Sequence, residues 1–151
     1  MDYSRIEVDL LYKKKISMNF YEMVSRDSAN CLDHGISLRN RVEIYKMALE
    51  RYQNDEYAPF VAIDLGNIYK EQALYTEAIK IYEKALTLSA VNRNASTKKE
   101  FANNLQYLRV VHDVLLKYHV LSTPFSQLSR EILQEIDTEF KKVQINSAQS
   151  K

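Results

Sequence analysis

Cys31 and His34 lie three residues apart in the run Cys31-Leu32-Asp33-His34. One helical turn would bring that thiol and imidazole together, as a nucleophile and its base must be. Yet Cys31 also falls on an apolar stripe with Phe20, Met23, Val24 and Leu32, where a free cysteine behaves as a small hydrophobe, and the packing reading is favoured. His112 and His119, seven apart with Asp113 nearby, would share one face of a long helix. Metal ligation on a helix uses histidines four apart or ligands from two helices, so these read as ordinary interfacial histidines. Glu131 and Glu135 resemble a solvated helix face more than an acid–base pair, and with only two glycines, Gly35 and Gly66, there is no phosphate-cradling loop. No catalytic or metal site is expected, nor any cofactor, so the sequence predicts a binding protein and not an enzyme.

The elements that would carry these residues are helices. Two glycines and two prolines in 151 residues leave little for tight turns, and the 46% apolar residues recur at three- and four-residue spacing. One domain is expected from this length, about residues 1–145, with 146–151 as a polar tail. Ser4 can cap a first segment carrying Ile6, Leu10, Leu11 and Ile16, as one helix or two, which Gly35 should stop. Ser37 can cap a helix whose stripe is Val42, Ile44, Tyr45, Ala48, Leu49 and Tyr52, ended by Asn54-Asp55. Pro59, suited to a first helical turn, opens the next, and Thr76 is expected to cap the one after. Asn92 to Ser96 reads as a polar connector, residues about 96–121 as a long helix broken at Ser122-Thr123-Pro124, and about 126–143 as a last helix. Its stripe of Leu128, Ile132, Ile136 and Phe140 needs a neighbour, which a second copy of the chain could supply.

Formal net charge is +1 with both signs interspersed, so nothing favours a nucleic-acid backbone or an anionic membrane. The basic run Lys13-Lys14-Lys15 reads as a solvated helix face. A single cysteine, no long apolar run and a mixed start (Met1-Asp2-Tyr3-Ser4-Arg5) lead to the expectation of a cytoplasmic protein; Asn94-Ala95-Ser96 then matches the glycosylation pattern by chance.

The strongest signal is an internal repeat. Val42-Glu43-Ile44-Tyr45-Lys46-Met47-Ala48-Leu49 returns 37 residues later as Ile79-Lys80-Ile81-Tyr82-Glu83-Lys84-Ala85-Leu86. Gly66 and Ala78 are small where two antiparallel helices would cross, and Tyr69 and Tyr82 would fill the space beside them; Ala85 leaves room for the following helix.

Leu65-Gly66, Tyr69, Ala78, Tyr82 and Ala85 together resemble the tetratricopeptide repeat, clearly over Pro59–Asn92 and partially over about 20–55. Ala62 and Ala90 depart from it, standing where a large aromatic and a closing proline are usual. The resemblance implies a right-handed superhelical stack of antiparallel helix pairs, six to seven helices in all, flanking helices acting as caps. It also implies a groove for a peptide or helix of another protein, to which Phe60, Ile63, Asn67, Lys70, Glu71, Arg26 and Asn30 would contribute. Some family members clamp a C-terminal carboxylate there with Lys and Asn side chains, but Asp64 stands where one such Asn belongs and would repel it. An adaptor is the leading expectation, beside a small chaperone for a secreted client or a self-associating structural subunit.

Overall fold

The computed structural model describes residues 38–149. Within them the chain is all helical: α1 (Leu38–Arg51), α2 (Ala58–Glu71), α3 (Tyr75–Ala85), the single turn α4 (Ser89–Asn92), α5 (Ala95–Lys117), a 3-10 turn (Phe125–Gln127) and α6 (Arg130–Gln149). Ser4, Lys13 to Lys15, Arg26, Asn30, Cys31, His34, Gly35, Ser37 and the first helix of the partial repeat lie outside the described residues.

The α2/α3 pair follows from its small residues. Pro59 occupies the first turn of α2, as its missing N–H suits. Asp55 Oδ1 accepts the Tyr57 N–H at 3.0 Å, and so fixes how the chain enters the helix. Gly66 then lets α3 come close: a Cβ built there would stand 2.7 Å from Cε2 of Tyr82. Ala78 and Ala85 are buried beside it, and Tyr45, Ala48 and Leu49 of α1 cover the other flank of α2. The repeated residues therefore play repeated parts, Tyr45 with Ala48 on α1 and Tyr82 with Ala85 on α3 all being buried.

Several ends differ from expectation. Thr76 does not cap α3; that helix starts two residues earlier than such a cap implies, with Leu74 in the cap position and Thr76 exposed inside it. The turn α4 comes just before the connector expected from Asn92, ending at that residue, and Asn94 is the cap of α5, its side chain accepting the N–H groups of Ser96 and Thr97. α5 ends at Lys117, before Ser122-Thr123-Pro124, because His119 turns left-handed at φ 59. Val120 N then donates to Leu115 O at 2.9 Å, the bond of a Schellman ending. Ala73, also at φ 59, ends α2 in the same way, with Leu74 N donating to Tyr69 O at 2.8 Å. The last helix starts at Arg130, later than expected, because Pro124 leads into the 3-10 turn, and it runs on into the stretch expected to be a polar tail.

Apolar side chains gather in two clusters. The first joins α1, α2, α3 and the front half of α5 through Phe101, Leu105 and Leu108. The second joins Tyr75, the rear half of α5 (Val110, Val111, Val114 and Leu115), Leu128 and Ile136. Ile132 and Phe140 pack on it, so the stripe offered above as a dimer face is covered largely by the chain's own α5. Among the described residues, no helix is long and apolar enough to cross a membrane.

Candidate functional site

α2 and α5 begin at Ala58 and Ala95, the spacing of the sequence repeat, although α5 runs for 23 residues against 14. Positions 37 apart on the two helices are therefore Phe60 and Thr97, Ile63 and Glu100, Asn67 and Asn104, Lys70 and Tyr107. The first two pairs and Asn104 line one cavity of about 490 Å3, with Tyr57, Phe101, Glu56, Arg93 and Ala90. Ala90, small where a proline was expected, thus faces this space from α4. Phe60 and Ile63 are half-buried, and Phe60 stacks on Tyr57 with ring centroids 5.5 Å apart.

The last pair is occupied. Phe125 of the 3-10 turn lies between α2 and α5, its ring 5.1 Å from the Lys70 ammonium and 6.5 Å, edge-on, from Tyr107. Ser126 donates its hydroxyl to Glu71 Oε2, and Tyr75 donates to the Thr123 carbonyl at 2.6 Å. Residues 123–126 thus form a strap over the C-terminal end of α2. Lys70 and Glu71 were expected to face a partner, but they contact the chain's own strap; Asn67 is exposed between that strap and the cavity. Burial holds the Lys70 ammonium below the usual lysine range, opposed by the Glu71 carboxylate.

Tyr82 lies behind the two helices, packed on Gly66 and 5.8 Å from the Phe101 ring. Burial first, and then the Asp64 and Glu100 carboxylates, push its phenol up to about 12. Both carboxylates therefore act on this one point, from α2 and from α5.

Among the described residues the other chemical candidates do not come together. His119 lies past the end of α5 in left-handed backbone, so it shares no helix face with His112, whose ring is 3.6 Å from the neighbouring Asp113 carboxylate. Glu135 pairs with Lys117 of α5 at 3.6 Å, away from any joint arrangement with the exposed Glu131. Among the described residues no group of three or more His, Cys, Asp or Glu side chains is placed to hold a metal ion.

Of the residues that line this cavity the sequence reading names Phe60 and Ile63 as groove candidates and not Thr97, Glu100, Phe101 or Asn104, and it does not name Phe125 of the strap. Shifting the α2 positions by the repeat spacing would have found Thr97, Glu100 and Asn104. Compared with protein-family models, with characterised proteins and with solved structures, the chain shows no significant match.

Proposed function

We propose that this chain is a short tetratricopeptide-type stack that binds a segment of another protein in the groove between α2 and α5, in the reducing setting that its single cysteine suits. One observation carries the reading: side chains 37 residues apart line a common groove, and a peptide segment, the chain's own Phe125 strap, already fills its last position. A groove that seats one short segment of chain at one end can seat another beside it. The half-buried Phe60 and Ile63 supply apolar surface, while Asn104 and Thr97 can hydrogen-bond a main chain.

Photocrosslinking tests this directly. Asn104→benzoylphenylalanine should trap a partner protein in the native host extract, whereas Lys80→benzoylphenylalanine, at an exposed position on α3, should not. Trapping at Lys80 with none at Asn104 would move the binding face away from the groove.

A further inference from the structure

The strap closes one end of the groove, and the cavity beside Phe60 and Thr97 lies at the other, open end. At the closed end the receiving groups and the received ones belong to different kinds of structure. Lys70 and Glu71 stand on α2 and Tyr107 on α5, and the Tyr107 ring also packs edge-on, at 5.1 Å, against Phe140 of α6. Helix backbone and Phe140 place these groups without help from the strap. Phe125 and Ser126 belong to the strap itself: the ring sits 5.1 Å from the Lys70 ammonium and 6.5 Å from Tyr107, and the hydroxyl donates to Glu71.

The tip of the strap is fixed on both sides and lightly held in between. Thr123 is tied by the Tyr75 hydroxyl at 2.6 Å, and Leu128 is buried in the second cluster. Between them Phe125 is half-buried, while Ser126 and Glu71 are exposed, so their hydrogen bond can be exchanged for water at little cost. Segments with few buried contacts and exposed hydrogen bonds open locally, at the low end of a protein's stability range. The tip can thus lift while its anchors hold, leaving Lys70, Glu71 and Tyr107 to a second segment. Pro124, at φ −56 and ψ 146, brings the chain in as polyproline II. What the site receives is therefore an aromatic ring arriving on extended backbone, with a donor side chain next to it.

We propose that the Phe125 tip is an internal stand-in for the partner: the bound segment presents an aromatic side chain followed by a hydroxyl or amide donor, and these replace Phe125 between Lys70 and Tyr107 and Ser126 at Glu71. This rests on the groove reading above and names the chemistry of its occupant. The strap then competes with the partner, and the apparent affinity is the intrinsic one multiplied by the fraction of time that the tip is lifted. A tip lifted about one-tenth of the time weakens binding about tenfold.

The probe is a fluorescein-labelled peptide with the sequence of residues 121–128, titrated to about 1 mM by anisotropy against wild type and Phe125→Ala, with folding checked by circular dichroism. Phe125→Ala should bind it about tenfold more tightly than wild type, and the same peptide with alanine for its phenylalanine should not bind. Ser126→Glu sets a carboxylate against that of Glu71 but keeps the ring. It should also bind the peptide more tightly than wild type, and it decides the matter if Phe125→Ala does not fold. Equal affinities for wild type and the folded variants, equal binding of the alanine peptide, or no binding at all would overturn the proposal. Trapping at Asn104 in that event leaves the groove reading standing, with the strap as a fixed cap, while loss of trapping as well removes both.

Discussion

The two ends of the α2/α5 groove are built from equivalent positions and finished differently. At one end Lys70 and Tyr107 hold Phe125 between them, and Tyr75 ties the strap through the Thr123 carbonyl. At the other, among the described residues, Phe60, Ile63, Thr97 and Glu100 line the cavity of about 490 Å3. The difference comes from helix length. α5 continues past the point where its counterpart α2 stops, and that extra length, with Val111, Val114 and Leu115, builds a second apolar cluster on which α6 and the strap can rest. Among the described residues a cover is supplied at the end where the second apolar cluster can anchor one.

Breaking the closed end should have the largest effect. Ile136, fully buried from α6 against α5, should cost about 2–5 kcal/mol as Ile136→Ala. Urea unfolding measures this, and a loss well below that range would mean that α6 does little to hold the closed end. Gly66→Leu attacks the ground beneath the open end by driving a side chain into the Tyr82 ring, at a cost of roughly 1–3 kcal/mol. Thermal melting of the variant should fall accordingly.

Phe125→Ala is the more selective cut, because it empties the closed position while leaving the buried residues of the second cluster unchanged. It should cost about 1–2 kcal/mol from the lost ring burial and cation contact. Amide exchange should quicken around residues 120–128 and stay unchanged around Phe60 and Thr97. Exchange quickening equally at both ends would show that they are one cooperative unit.

The phenols give a gentler comparison, since Tyr82 behind the open end and Tyr75 at the closed end are each pushed up to about 12, both chiefly by burial. The folded protein therefore keeps protons that the unfolded chain releases near pH 10. Stability from these two groups is full below that value and falls as pH rises from about 10 through about 12. In a phenolate absorbance titration, Tyr82→Phe and Tyr75→Phe should each remove one late-titrating group. The smallest effect is expected from Ser126→Ala, an exposed bond to Glu71, at about 0.5–1 kcal/mol or less.

Helix type and the tight α2/α3 pair were legible in the sequence because their packing demands particular residues. Gly66, Ala78 and Ala85 must be small and Tyr82 must be large. The second wall of the groove was not legible, because a groove-facing position has no neighbour to dictate its type: Thr97 and Glu100 repeat the places of Phe60 and Ile63 without their chemistry. The strap was hidden for another reason. His119 ends α5 in left-handed backbone where no glycine marks the stop, and Pro124, visible as a breaker, says nothing about Phe125 reaching Lys70 across the fold.

Those left-handed endings also bear on heat tolerance. Ala73 and His119 each hold a conformation that costs an L-residue about 1–2 kcal/mol, a sizeable share of the roughly 5–15 kcal/mol by which a domain is stable. Glycine at either joint would recover part of that, less its own chain entropy. Neither joint lines the cavity bordered by Phe60, Ile63, Thr97 and Glu100, so the melting point of this protein can be tuned at two residues without touching that lining.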